Sequence, residues 1–155
     1  MRAVLYDTWA LVALGNRADP YHSASAELDR ELEMQGYVPL VTDYVFDETL
    51  TFLQASAGPK ASLPFAELML ARVNGGNVQW LDIDAERRRS ALDLFRKLAP
   101  EEPRLSFTDC TSFAVMRELG VKLAFTCDRH FHRAGSGIRP LFEIHGKKLR
   151  PRPLR

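Results

Sequence analysis

Four acids of this chain stand where their carboxylates can do metal chemistry: Asp7, Glu48, Asp109 and Asp128. Asp7 closes the run Val4-Leu5-Tyr6, residue types that suit a strand, and is followed by the hydroxyl of Thr8. A carboxylate at the carboxyl end of a strand lies where open α/β sheets bind their ligands. Asp128 stands in the same way after Val121-Lys-Leu-Ala-Phe-Thr126. Asp109 ends Ser106-Phe-Thr-Asp109, the spacing of a capping box, which sets its carboxylate near the positive end of a helix dipole. Glu48 lies in mid-helix, on the margin of a face carrying Val45 and Phe52, with Asp47 as a competitor. Each acid alone has a plain structural explanation: a helix cap for the aspartates, a solvated helix position for Glu48. Brought together they would repel one another unless a cation joined them. Oxygen donors of this kind suit Mg²⁺ or Mn²⁺, and such a site suits the hydrolysis of phosphodiester bonds.

The elements that would position these acids alternate. Strands are expected over residues 4–6, 37–41, 78–81, 121–126 and 138–144. Helices are expected over 9–14, 21–35, 43–55, 61–73, 85–98 and 106–119, with a short one from Asp128 to His132. Pro39 suggests an edge or an irregular start for the second strand. The second helix has Ala24, Leu28 and Leu32 for its inner face, with Ala26 as a further candidate. The later helices offer Val45, Phe46, Leu50, Phe52 and Leu53, then Phe65, Leu68, Met69 and Leu70, then Ala91, Leu92, Phe95 and Leu98. Gly36 and Gly120 stop helices, and Pro100-Glu-Glu-Pro103 is a rigid loop. Strands alternating with helices argue for an α/β fold with a mostly parallel central sheet covered on both faces.

These segments resemble the PIN-domain ribonucleases, above all the toxins of VapC type. The matching stretches are Leu5-Tyr-Asp-Thr8, the helix residue Glu48, Leu105-Ser-Phe-Thr-Asp109 and Ala124-Phe-Thr-Cys-Asp-Arg-His-Phe131. The last is the most specific, because a strand ending in Thr-x-Asp-x-x-Phe is typical of the family. The resemblance runs from Met1 to about Ile144. It implies a PIN-like three-layer α/β/α domain over residues 1–145 and a Mg²⁺- or Mn²⁺-dependent endoribonuclease, often dimeric, held in check by a small antitoxin. It carries Asp7, Glu48, Asp109 and Asp128 over as the metal-binding and catalytic cluster, and Thr8 and Thr126 as supporting hydroxyls. The products it implies are a 5′-phosphate and a 3′-hydroxyl, formed without the 2′-OH. The chain departs from the common pattern at Cys110, where a small alanine often follows the third acid. The basic segment 146–155 maps to no family feature and is expected to be a flexible tail.

Composition sets broad bounds. The chain has 155 residues, enough for one domain and short of two. With 21 basic and 20 acidic side chains the net charge is +1, so only the distribution of charge can speak for nucleic acid. Arg129 and His130, beside Asp128, and Lys147, Lys148 and Arg150 of the tail are candidate contacts to RNA phosphates. The run Arg87-Arg88-Arg89 reads first as a solvated helix face. No apolar run reaches the length of a membrane span, and Met1-Arg2-Ala3 has no signal-peptide architecture. A cytoplasmic setting is therefore expected, with Cys110 and Cys127 as reduced thiols. Those cysteines with His130 and His132 match no common zinc spacing. A haloacid-dehalogenase-like phosphatase would need a second aspartate where Trp9 stands, a receiver domain would need neighbouring acids before its first helix, and no Gly-rich phosphate loop occurs. The second reading kept open is a non-catalytic PIN-like module that binds RNA or protein and keeps its acids for structure.

Overall fold

The structure, a computed structural model, describes residues 2–133, 139–145 and 148–151. Strand β1 (Ala3–Tyr6) leads into helices α1 (Thr8–Gly15) and α2 (His22–Met34). Strand β2 (Val38–Thr42) follows, then α3 (Asp43–Ala57), α4 (Pro59–Asn74), β3 (Gln79–Leu81), α5 (Ala85–Leu98) and α6 (Phe107–Leu119). The chain continues through β4 (Leu123–Phe125), α7 (His130–Arg133) and β5 (Arg139–Pro140). It ends in β6 (Phe142–His145) and β7 (Lys148–Pro151).

Strands β1 to β5 form one sheet in the order β3-β2-β1-β4-β5, and every pairing in it is parallel. Strand β1 therefore lies at the centre, with Tyr6 in register with Phe125 of β4 and Leu5 with Leu40 of β2. Alternation along each strand divides the core in two. Ala3, Leu5, Leu40 and Ala124 face one cluster with Ala91, Leu94 and Phe113 of α5 and α6. Val4, Tyr6, Val41 and Phe125 face the other, with Leu11, Leu28, Leu53 and Phe65 of α1 to α4. This is the α/β/α arrangement expected from the sequence. Burying a side chain such as Phe113 or Phe125 is worth about 1.5–3 kcal/mol, so each layer is anchored firmly to the sheet.

Pro39 does not mark an edge. Strand β2 is internal, yet the missing N–H costs nothing: Val38 donates toward β1, to the Arg2 carbonyl at 2.8 Å, so the Pro39 nitrogen faces β3. There the first paired residue is Leu40, opposite Gln79, so the ladder has not yet begun at Pro39. Helix faces are narrower than their apolar content suggests. Helix α2 buries Ser25 with Leu28 and Leu32, not Ala26, and α3 buries Val45, Thr49 and Leu53 while Phe52 is 53% exposed. Leu68 and Leu70 of α4 and Leu92 of α5 are likewise exposed, and Leu94 takes the inner position instead of Leu92. Gly15 sits at a close approach: a Cβ there would lie 2.9 Å from Leu53 Cδ1 and 3.0 Å from Phe65 Cδ2, so those side chains would have to shift.

The basic segment differs from the expected loose tail. Lys148–Pro151 pairs antiparallel with β6, setting Leu149 opposite Ile144 and Arg150 opposite Glu143. Lys147 and residues 152–155 lie outside the described residues. No helix among the described residues is long and apolar enough to cross a membrane.

Candidate metal centre

Two of the four acids, Asp7 and Asp128, follow strand ends, while Asp109 opens α6, which comes after α5. Asp7 follows β1 directly, and its backbone N–H continues the ladder to Phe125 O at 3.2 Å. It takes the N-cap position of α1, but its side chain makes no capping bond. The carboxylate turns instead to the neighbouring strand end, where Thr126 Oγ1 donates to Asp7 Oδ2 at 2.8 Å. The same Thr126 oxygen accepts from the Asp128 N–H at 3.0 Å, so one buried hydroxyl ties the first acid to the backbone of the last.

Asp109 is set by its capping box. Ser106 Oγ accepts from Asp109 N at 3.0 Å, and Ser106 N donates back to Asp109 Oδ2 at 2.9 Å. Asp128 is held by a turn of its own, with His130 N donating to Oδ1 at 2.9 Å. The first turn of α7 is pinned through Phe131, which is fully buried against Phe113 of α6 in a T-shaped pair with centroids 4.9 Å apart. Glu48 reaches the site from α3. Thr42 caps that helix by accepting from Val45 N at 3.2 Å, and Asp43 Oδ1 accepts from Ile83 N at 3.0 Å, fixing α3 against the end of β3. Thr8 Oγ1 then donates to Glu48 Oε2, which joins Glu48 to the residue after Asp7. Asp47 is exposed, so Glu48 is the α3 acid turned toward the site.

Asp7 and Asp109 are only 5% and 7% exposed. Burial first, then the charge of Asp109, pushes the Asp7 carboxyl up to about 7, although bonds from Thr126 and Thr8 pull the other way. Burial likewise pushes Asp109 up to about 6, with Asp128 adding to the rise and the Ser106 bonds opposing it. The folded chain thus holds two carboxyls in conditions hostile to their own negative charge. Oxygen-rich and short of compensating charge, this donor set fits a hard divalent cation. Side-chain donor atoms of Asp109, Asp128 and His130 lie within 4.8 Å of one another, close enough to share one ion.

His130 and Glu102 are the residues whose placement the sequence did not reveal. His130, expected to face a phosphate backbone, sits among acids: Nδ1 is 3.1 Å from Asp128 Oδ1 and 4.0 Å from Asp109 Oδ2, and Nε2 is 3.3 Å from Glu102 Oε2. Its spacing of two from Asp128, the spacing of an Asx turn, was the available signal. Glu102 belongs to the Pro100–Pro103 loop, which periodicity does not read. Arg129 is exposed. Lys148 and Arg150 lie on β7, away in sequence from every acid of the cluster. The cysteines are separated by the sheet: Cys110 belongs to the core of α5 and α6, while Cys127 packs against the other core. Burial pushes their thiols up to about 11 and about 12, and because they lie in different cores they do not converge on one ion.

Comparison with known proteins bears on the family and the fold. Residues 4–137 match the profile of the PIN domain. The 23S rRNA-specific endonuclease VapC20 of Mycobacterium tuberculosis, in strains CDC 1551 / Oshkosh and H37Rv, is 30% identical over 132 residues, covering 85% of this chain and 94% of that protein. The crystal structure of M. tuberculosis VapC20, a Sarcin-Ricin loop cleaving toxin, superposes with a TM-score of 0.72 at 29% identity, covering 88% of this chain and 99% of that one. VapBC2 from Rickettsia felis, solved bound to a DNA fragment from its promoter, shares the fold with a TM-score of 0.63 at 13% identity, over 85% of this chain and 92% of that one. With its parallel sheet and these relatives, the chain belongs to the PIN domain family.

Proposed function

We propose that this protein is a divalent-metal-dependent endoribonuclease, the toxin of a toxin–antitoxin pair, cutting RNA by hydrolysis. The observation that carries the reading is the gathering of Asp109 and Asp128 with His130 within 4.8 Å, beside a buried Asp7 whose carboxyl burial and the charge of Asp109 push up to about 7. Its kinship to VapC20 supports RNA as substrate, and ribosomal RNA is the first class to assay.

When bound, a Mg²⁺ or Mn²⁺ ion would supply Lewis acidity to the phosphate and lower the pKa of water at the site. Asp7, Asp109 and Asp128 would hold it, and Glu48, oriented by Thr8, would bind a second ion or position the attacking water. Thr126 orients the Asp7 carboxylate and the Asp128 backbone together, the outer-shell service that keeps ligand oxygens aimed. Attack by water on phosphorus leaves a 5′-phosphate and a 3′-hydroxyl. The VapC-type likeness adds a cognate antitoxin and a homodimer, and the cytoplasm as the place of action.

The reading is tested by titrating Mn²⁺ and Mg²⁺ into the protein while following its melting temperature, then assaying cleavage of a 23S rRNA stem-loop with and without chelator. At a hundredfold excess over Kd, stabilisation of about 2.7 kcal/mol is expected. Cutting should stop when the ion is removed. A melting temperature indifferent to both ions, with RNA bound but uncut, would favour the non-catalytic module. In the same assay Thr126→Val should weaken Mn²⁺ binding about 10- to 100-fold, because it frees the Asp7 carboxylate without removing a ligand. Calorimetric affinity equal to that of the unaltered protein would deny Thr126 this role.

A further inference from the structure

Arg87 and Arg88 of α5 differ in their partners from Arg104 and Arg129. Arg87 is committed to the fold: it makes two bonds of 2.8 Å to Glu118 and a third to Asp82 O. Arg88 bonds Ile83 O at 3.0 Å and Tyr44 Oη at 3.4 Å. Arg104 and Arg129, by contrast, are exposed and have no ion-pair partner among the described residues. Both line one cleft of about 400 Å³ together with Glu102, Asp128 and His130. The cleft therefore reaches the acidic cluster through Asp128 and through His130, which also neighbours Asp109.

Each arginine is carried by a fixed piece of backbone. Arg104 follows Pro103 and precedes Leu105, which is buried in the core and accepts no displacement cheaply. Arg129 lies inside the turn closed by His130 N on Asp128. The acid that shares the cleft mouth, Glu102, meets the His130 imidazole at 3.3 Å. Unpaired guanidiniums next to a carboxylate centre have no structural work that the fold requires, and a planar fork of donors suits phosphate oxygens.

We propose that Arg104 and Arg129 form a phosphate-binding subsite, which seats the RNA backbone next to the scissile bond in the cleft between the Pro100–Pro103 loop and the start of α7. This rests on the reading of the acidic cluster as the cleavage site. It assigns substrate contact to a residue, Arg104, far in sequence from Asp7, Glu48 and Asp128, and separates it from the arginine run of α5. Both residues bind substrate; neither touches the reacting atoms.

The test uses Arg104→Ala, Arg129→Ala, the double variant, Arg104→Lys/Arg129→Lys, and Arg89→Ala as a control for charge loss elsewhere on the surface. Cleavage of a stem-loop RNA is measured across salt concentrations, and RNA affinity is measured separately by fluorescence anisotropy in Ca²⁺. Each alanine variant should lower kcat/KM about five- to tenfold, carried by KM, and the double variant about 50-fold. The slope of log affinity against log salt should fall by about 0.7 for each arginine removed, and the lysine pair should restore most of the slope but not all of the affinity. Arg89→Ala should leave the slope as it is. If the protein cuts RNA and the double variant keeps its KM and slope, the subsite is refuted while the nuclease stands. If the protein binds RNA without cutting and the double variant loses that binding, the subsite stands and the nuclease reading fails.

Discussion

Asp109→Asn and Asp7→Asn are each expected to lower metal-dependent RNA cleavage by about a thousandfold or more. Charge stabilisation by a bound ion is worth several kcal/mol, and each 1.36 kcal/mol is a factor of about ten in rate. Asparagine is the right replacement because the local bonds survive it. Its amide oxygen can still accept from Ser106 N at position 109 and from Thr126 Oγ1 at position 7, so cap and strand-end tie are kept. Single-turnover cleavage of the stem-loop RNA, with melting temperature as the control on folding, measures the effect. Two variants that both cut within a few-fold of the unaltered protein would remove these acids from the mechanism.

Stability without metal should move in the opposite direction. Asp7 is pushed up to about 7 and Asp109 to about 6, against about 3.9 in an unfolded chain. Between roughly pH 4 and pH 7 the folded protein therefore binds more protons than the unfolded one. Its stability must fall as pH rises across that window, and the full penalty is in force above pH 7. For this coupled pair the loss is on the order of a few kcal/mol, which for a chain of this size is on the order of 10 °C in melting temperature. Asp7→Asn should flatten the fall and melt higher than the unaltered protein at pH 8 without metal. Saturating Mn²⁺ should flatten it too. A metal-free melting temperature that holds level or climbs from pH 5 to pH 8, and is unaffected by Asp7→Asn, would contradict the electrostatics described for the site. An inactive variant more stable than its active parent would show that the acids are kept for chemistry at the expense of the fold.

The skeleton of the site was legible because its signals are local. Asp109 announces itself through a capping box within four residues, and Asp7 and Asp128 through strand runs that end on them. Glu48 was separable from Asp47 only weakly by helical phase, and the structure separates them by burial. What stayed hidden depends on contacts between distant segments. Nothing in Pro100-Glu-Glu-Pro103 tells that Glu102 will meet His130, because the loop has no period and its partner lies on a distant segment. Pro39 misled for a related reason: a proline forbids one hydrogen bond, and only the register of β2 against β3 shows that this bond was not needed. The apolar helix faces were read too broadly, since propensity marks Phe52, Leu68 and Leu92 as packing residues while the single contact stripe leaves them outside.

The bond from Thr126 to Asp7 joins residues 119 positions apart, across the central pair of strands. A chain emerging from the ribosome carries Asp7 and Glu48 early, but it cannot complete the pocket until β4 and Asp128 have been made and have docked beside β1. The pocket is thus a late product of folding: no single stretch of the chain can hold these acids together before β1 and β4 are side by side.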